Sequence, residues 1–252
     1  MMRCYGSPPY AVALLHGGPG DRGSLRPMAE CLSAWTGVLE PFQSAFTIEA
    51  LVEELYGQLA GNVQTPVTLV GHSWGAWLAL FFSVRHRECV RQLVLVGCPP
   101  FDDRYVPQIM ERRLRRLAPE EQAAFSRLSA SPHLSEEDMQ CLARLVGRAD
   151  NYHTVTFANE CLPDVAQYEK VWSEAAAFRS SGGFVRLLPE VLVPIHVIHG
   201  EDDPHPLAGV IEPLERLGVG CSLCVLGHCG HSPFLELEAR DEFYARLIAL
   251  LG

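Results

Sequence analysis

Val67-Thr68-Leu69-Val70-Gly71-His72-Ser73-Trp74-Gly75 joins a short apolar run to an apolar pattern that continues to His86. The first four residues read as a buried strand, and Trp74 to His86 as a helix that is apolar nearly all round and therefore buried. A strand that turns this sharply into a helix must hold one residue in a strained conformation at the apex. Glycines on either side remove the side chains that would collide there, so the Ser73 hydroxyl stands exposed at the helix N-terminus. A serine is a weak nucleophile on its own. It needs a base, an acid to orient that base, and donors for an oxyanion.

The chain around this turn alternates strand and helix signals. Tyr10 to Leu15 reads as a buried strand, Ser24 to Leu32 as a helix capped by Ser24, and Thr36 to Glu40 as a second strand. Thr47 caps an amphipathic helix whose stripe is Ile48, Leu51, Val52, Leu55 and Leu59, closed by Gly61. Leu93 to Val96 is the strand after the Trp74 helix. Beyond Phe101 the strand signals stop, and helical patterns follow at Pro107 to Leu117, Pro119 to Leu128, Ser135 to Val146 and Val165 to Phe178. The α/β rhythm resumes with a strand at Pro194 to His199, a helix at Pro206 to Leu217, a strand at Cys221 to Leu226 and a helix at Glu238 to Leu251. Such alternation implies a mostly parallel sheet with helices on both faces. The expected organisation is an α/β core in two parts, residues 1–100 and 191–252, interrupted by a helical insertion at 101–190.

Composition limits the partners. With 252 residues the chain can bury a sizeable core. A net charge of -10 without a basic tract argues against nucleic acid. No apolar run reaches the ~18 residues of a membrane span, and the N-terminus carries no signal-peptidase site. A cytoplasmic protein is expected. Its nine cysteines lie scattered among apolar neighbours and read as buried free thiols. Cys221 and Cys224 have CxxC spacing, but in a strand their side chains point to opposite faces.

Four chemistry-bearing stretches follow successive strands: His16-Gly17-Gly18-Pro19-Gly20, Ser73, Glu201-Asp202-Asp203, and the loop containing His231. Ligands of open parallel sheets bind at the carboxyl ends of the strands, so all four can reach one crevice. At this level either Asp202 or Asp203 can orient a histidine, and His228 stands near His231. His228, Cys229 and His231 fit no standard zinc spacing.

The elbow, the HGGPG loop, Gly200-Glu201-Asp202-Asp203 and Gly230-His231-Ser232-Pro233 together resemble the α/β-hydrolase superfamily, over nearly the whole chain outside the insertion. The resemblance implies Ser73, Asp203 and His231 as nucleophile, acid and base. Asp203 is selected because similar members place the acid three residues after the glycine, and His231 by the Gly-His-x-Pro string. It also implies an oxyanion hole from the backbone N–H groups of Trp74 and Gly18, a helical cap, and no cofactor or metal. His72 and His16 are then packing residues. Measured against that resemblance, the two leading strands of the superfamily are missing from the pattern, and about six strands are expected.

A serine nucleophile argues against the aspartate-nucleophile relatives, the haloalkane dehalogenases and epoxide hydrolases. The HGGPG loop and Trp74-Gly75 resemble the prolyl iminopeptidases, whose typical elbow has glycine where His72 stands. The implied activity is hydrolysis of a small carboxylic ester through an acyl-enzyme. The alternatives are an aminopeptidase and a hydrolase-fold protein that binds a ligand without turnover. An aminopeptidase needs an anion for the α-amino group, and Glu160, Asp164, Glu169 and Glu174 are on offer. Phe101, Tyr105, Phe157 and Trp172 are candidate pocket walls, and the run Arg112-Arg113-Leu114-Arg115-Arg116 reads as a solvated helix face or a carboxylate site.

Overall fold

The computed structural model describes residues 1–63, 66–131 and 135–252. Its elements, in chain order, begin with β1 (Met2–Tyr5), β2 (Tyr10–Leu15), α1 (Arg26–Leu32), β3 (Gly37–Pro41), α2 (Ile48–Leu59), β4 (Val67–His72), α3 (Trp74–Arg85) and β5 (Val90–Val96). There follow α4 (Val106–Arg115), α5 (Pro119–Ser129), α6 (Glu136–Asp150), α7 (Val165–Ser180) and α8 (Gly183–Leu187). The chain closes with β6 (Ile195–Gly200), α9 (Ala208–Arg216), β7 (Cys221–Leu226) and α10 (Arg240–Leu251).

The seven strands form one sheet in the order β1-β3-β2-β4-β5-β6-β7. All neighbours are parallel except β1, which runs antiparallel to β3. Two-residue alternation splits the strands between two cores. Leu69, Leu93, Leu95 and Val197 join α2, α3 and α9 through Leu55, Trp77 and Leu214. Val70, Val94, Val96 and Ile198 join α1 and α10 through Met28, Leu32, Phe243 and Leu247. Each such side chain, fully buried, contributes about 1.5–3 kcal/mol. The strand ends are thereby fixed from both faces.

The sheet has one strand more than the sequence pattern suggests. Met2-Arg3-Cys4-Tyr5 is short and mixed in polarity, so it carries no strand signal by itself. It becomes the antiparallel edge by pairing Met2 with Pro41 and Tyr5 with Val38 of the wholly buried β3. Helix α1 starts later than Ser24, with Leu25 at its N-cap and a proline in its first turn. Thr47 does cap α2, its hydroxyl accepting from the Ala50 N–H at 3.2 Å.

Between β5 and β6 the described residues are helical or irregular. Helices α5 and α6, with the end of α4, form a small core of Leu117, Phe125, Leu128, Leu145 and Ala149. Helices α7 and α8 instead join the main core through Val171, Ala175 and Phe184. Cys221 and Cys224 pack toward different cores, and all nine cysteines are free. No described helix is long and apolar enough to cross a membrane.

Candidate active site

The sheet order sets the position of the site. From β2 the chain steps outward to β3, then crosses back to β4 on the other side of β2. Strand order reverses between β2 and β4, and ligand crevices of open sheets form at the carboxyl ends of strands at such a switch point. The glycine loop leaves β2 there, and Ser73 leaves β4.

Ser73 has φ 54° and ψ -120°, one of two positive φ values among described non-glycine residues. The flanking glycines make this possible. A Cβ on Gly71 would lie 2.2 Å from the Gly75 carbonyl oxygen, and one on Gly75 would lie 2.0 Å from the Leu15 carbonyl oxygen. Backbone therefore approaches backbone where any side chain would block it. Trp74 opens α3, and N–H groups in a first helical turn have no intrahelical partner. Gly17 lies against the elbow, since a Cβ there would be 3.0 Å from His72 Nδ1 and 3.3 Å from Ser73 Cβ. Gly18 follows at φ 27°.

The glycine loop is tied to the elbow through a residue without any motif, Gln43. Trp74 Nε1 donates to Gln43 Oε1 at 2.7 Å, and Gln43 Nε2 donates to the His16 carbonyl at 3.4 Å. His16 is fully buried and pushed down to about 4 by that burial, so it is neutral. Its Nδ1 lies 3.0 Å from the Gly17 carbonyl, and its Nε2 accepts from the Gln43 N–H at 3.3 Å.

Asp203 follows β6 and is buried, whereas Asp202 is partly exposed and turned toward Arg116 at 3.9 Å. His231 Nδ1 lies 2.8 Å from Asp203 Oδ2. The other carboxylate oxygen accepts from the His205 N–H and from His205 Nδ1, each at 2.8 Å. His199 Nε2 stands 3.7 Å from Oδ2 and donates to the His205 carbonyl at 2.8 Å. Burial alone would raise the Asp203 pKa, but the charges of His231, His205 and His199 outweigh it and hold the group well below the ordinary range. Burial works to lower His231, and Asp203 outweighs it and raises the pKa. His205 is lowered, first by burial and then by His231.

The backbone of His231 is held from three sides. The His231 N–H donates to the Asp150 carbonyl at 2.8 Å, and its carbonyl accepts from His72 Nε2 at 2.9 Å. The preceding Gly230 N–H donates to Glu236 Oε1 at 2.7 Å. The buried Glu236 carboxylate also takes the N–H groups of Tyr152 and His153. His228 is exposed and stacks obliquely on Tyr152 at 5.3 Å.

Asp203, His205 and His231 also bring one atom each within 4.8 Å of one another. Both imidazoles aim Nδ1 at separate oxygens of the one carboxylate. That is a hydrogen-bonded relay rather than three lone pairs converging on a metal.

The remaining candidates are spread over the molecule. Phe101 and Trp172 belong to one aromatic chain, with Phe101 against Phe184 at 5.3 Å, Phe184 against Trp77 at 4.5 Å and Trp77 stacked on Trp172 at 5.7 Å. Tyr105 binds Glu212 and Arg104 through its hydroxyl. Phe157 lines a separate cavity of ≈ 450 Å³ shared with Arg26, Cys31 and Tyr244. Among the acids, Glu160 pairs with Arg26 and with Arg3 at 3.6 Å, Asp164 caps α7 and pairs with Arg22 at 3.7 Å, and Glu174 accepts from the Ile48 N–H at 2.9 Å. Glu169 is exposed. The arginine run is mostly neither a solvated face nor a free anion site. Arg112 donates to the Asp203 carbonyl at 3.3 Å, Arg116 to the Asp202 carbonyl at 2.5 Å, and Arg113 grips Asp150 at 2.6 and 2.7 Å. Arg115 alone pairs outward, with Glu111 at 2.5 Å.

Sequence reasoning did not single out His205, Gln43, Asp150 or Glu236. The Asp203-Pro204-His205-Pro206 string was the one local signal, a histidine two residues after the acid and held between prolines.

Comparison with known proteins accords with this architecture. The profile described as "Alpha/beta hydrolase family" matches residues 5–246. The pimeloyl-[acyl-carrier protein] methyl ester esterase of Neisseria meningitidis serogroup A / serotype 4A is 26% identical over 201 residues, 78% of this chain and 60% of that protein. The chain spans less than two thirds of the length of the first curated relatives it matches. The crystal structure of VinJ superposes with a TM-score of 0.73 at 22% identity, covering 99% of this chain and 93% of that one. Proline iminopeptidase of Mycobacterium smegmatis gives 0.66 at 19%, covering 99% and 93%. At these identities the likeness to solved structures is one of fold, so the resemblance to the iminopeptidases is partial.

Proposed function

We propose that the chain, which belongs to the alpha/beta hydrolase family, is a serine hydrolase that cleaves a small carboxylic ester through an acyl-enzyme. One observation carries this reading: His231 is bonded through Nδ1 to buried Asp203 at 2.8 Å, and its carbonyl is bonded at 2.9 Å to His72, the neighbour of the strained Ser73. Nucleophile, acid and base then follow in chain order Ser73, Asp203, His231.

His231 Nε2 takes the Ser73 proton as Oγ attacks the ester carbonyl carbon. The carbonyl π pair moves to oxygen, and the N–H groups of Trp74 and Gly18 stabilise that oxyanion. Asp203 stays ionised and stabilises the imidazolium. Collapse re-forms the carbonyl and breaks the bond to the alcohol oxygen, which leaves with the proton from His231. Water then adds to the acyl-Ser73 carbon, giving its proton to His231. The second collapse releases the acid and returns that proton to Ser73 Oγ.

An ester is favoured over a peptide N-terminus because three of the four acids on offer for an α-amino group are engaged elsewhere, and the fourth, Glu169, is an exposed surface residue. Glu160 and Asp164 are paired with arginines, and Glu174 holds the start of α2. The match to a methyl ester esterase points the same way. Residues 101–190 act as a cap on the core parts 1–100 and 191–252, anchored by Arg112 and Arg116 on the acid loop and by the Asp164 N–H on the Gly20 carbonyl at 3.1 Å. Phe101 and Trp172 serve as the aromatic wall for the acyl group. Nine free cysteines suit a reducing, cytoplasmic compartment.

The test is kcat/KM on p-nitrophenyl butyrate and on proline p-nitroanilide, with Ser73→Ala as the blank. Preference for the ester supports the reading. Preference for the anilide overturns it in favour of an aminopeptidase.

A further inference from the structure

His205 lies outside the three residues that the proposed reaction requires, yet it holds half of the acid. Pro204 and Pro206 flank it. The Pro206 ring restricts the His205 backbone to extended conformations, and Pro204 fixes the φ that leads into it. The side chain is thus delivered from a stiff segment. Its N–H and its Nδ1 both lie 2.8 Å from Asp203 Oδ1, while His231 takes Oδ2. Its ring stacks on the His231 ring, with centroids 4.3 Å apart and planes at 30°. Its carbonyl is held by His199 Nε2 at 2.8 Å.

This arrangement removes two freedoms. A carboxylate on a single side-chain bond can rotate and tilt; hydrogen bonds to both oxygens fix its plane and aim Oδ2 at His231. An imidazole on a loop can swing; a second ring against its face limits that swing. We propose that His205 is a positioning residue, which locks the Asp203 carboxylate through its second oxygen and backs the His231 ring so that acid and base share one fixed geometry.

The proposal rests on the serine-hydrolase reading above, and it has a pH consequence. Several charged or titratable groups face His205 and its partners. Asp203 lies on its own loop, His199 at the end of β6 and His231 after β7. Asp150 ends α6, Arg112 and Arg113 project from α4, His72 ends β4 and Cys98 follows β5. Among the described residues, only His205 donates a side-chain proton to Oδ1. Without that donor the Asp203 charge is shared with one fewer imidazole and acts more strongly on His231.

The experiment compares His205→Phe, which keeps a stacking ring without a donor, with His205→Asn, whose amide reaches the Nδ1 position. The backbone bond to Oδ1 survives in both. Ester hydrolysis by His205→Phe should fall in kcat by about tenfold or more, since misplacing a catalytic group by an ångström costs up to about a hundredfold. KM should stay within about twofold, as expected when only transition-state interactions are lost. The acid limb of kcat/KM should move to higher pH, and His205→Asn should restore both rate and limb. If the Phe variant does not fold, His205→Ala replaces it with the same expectation of rescue by Asn. Unchanged kcat and pH profile in a folded Phe or Ala variant overturns the proposal, as does an equal loss in the Asn variant. Fluorophosphonate labelling separates the two levels of failure. If wild type labels at Ser73 and the variants behave like wild type, only the role of His205 falls. If wild type does not label, the serine-hydrolase reading falls and takes this one with it.

Discussion

His72 Nε2 lies 2.9 Å from the carbonyl oxygen of His231, so the residue before the elbow serine holds the backbone of the histidine 159 positions away. The ring is buried and pushed down to about 3, burial being the largest cause and the nearby His231 the next. It is therefore a neutral donor. His72→Ala would leave a buried carbonyl without its partner, at a cost of about 1–3 kcal/mol in stability. The expected outcome is lower stability by urea unfolding together with lower kcat. His72→Gln, which can still donate, should recover part of each.

Asp203→Asn should depress kcat far more than Asp202→Asn, on the order of 10⁴-fold by comparison with triad acids elsewhere. The reason lies in donor counting. Two Nδ1–H groups now share two carboxylate oxygens, but an amide offers one oxygen and one N–H. One imidazole must then change tautomer or lose its bond. His231 pairs with Asp203, whereas the Asp202 carboxylate faces Arg116 at 3.9 Å, so the Asp202 amide variant should stay within about twofold. Steady-state rates on p-nitrophenyl butyrate decide it, and equal losses would remove Asp203 from its assigned role.

Much of this arrangement was legible in the residues. The β4-elbow-α3 unit announces itself because an apolar strand, two glycines and an apolar helix are all local signals. The choice of Asp203 over Asp202 and of His231 over His228 comes from short strings at strand ends read through their resemblance to the family. The edge strand β1 and the polar supports were not legible, for different reasons. β1 has almost no pattern of its own and exists through its pairing with β3. Gln43, Asp150 and Glu236 are ordinary loop or helix-end polar residues whose burial arises from partners far along the chain. The arginine run shows the intermediate case. Positions 112, 113 and 116 share one helical face and 115 falls on another, but nothing local says that the first face meets the acid loop.

Acidification should weaken the fold and the activity in different ranges. His72 and His16 have folded values of about 3 and about 4, and His196, His199 and His205 are also lowered, with burial the leading cause in each. Between those values and 6.5 the unfolded chain binds more protons, so stability falls as pH falls through that window. The depressed Asp203 adds a loss below 3.8. His231 opposes them: its raised pKa adds stability that is complete below 6.5 and is lost as pH rises through the folded value. Five lowered histidines against one raised histidine give a net loss on the acid side, which the buried Asp21 and Glu40, both raised by burial, offset in part. With His231 as the proposed base, activity needs that residue neutral, so kcat/KM should fall through a pKa raised above 6.5, before the fold weakens. A pH series of Tm beside a pH-rate profile checks the order, and unfolding that precedes the activity loss would contradict it.

Arg113 and Asp150 form a bidentate pair at 2.6 and 2.7 Å, with the Asp150 side chain 8% exposed. Asp150 also accepts the His231 N–H through its backbone. Arg113→Met strands a buried carboxylate and should cost about 3 kcal/mol. Adding Asp150→Leu should recover most of that loss. Urea unfolding of the two variants and the double variant provides the measurement, and additive losses would show that the pair is not coupled.

Gln43 provides a test of the proposed oxyanion hole, whose donors would be backbone groups that cannot be deleted directly. Its amide accepts from Trp74 Nε1 at 2.7 Å and donates to the His16 carbonyl at 3.4 Å. One side chain thus joins the residue that opens α3 to the residue that starts the glycine loop. Gln43→Ala removes both ties while its backbone N–H remains free to bond His16 Nε2. The loop and the elbow should then lose their mutual spacing by a fraction of an ångström. Donors aimed at a developing charge are sensitive to such a shift, and loss of one whole donor costs about 10²–10³ in kcat. A looser pair should cost less, about tenfold, and should appear in kcat rather than KM because the ground-state carbonyl is bound without the full charge. Gln43→Glu retains the acceptor for Trp74 but not the donor to His16, so it should be intermediate. If Gln43→Ala changes KM alone, the Gln43 bridge belongs to substrate binding and not to oxyanion geometry.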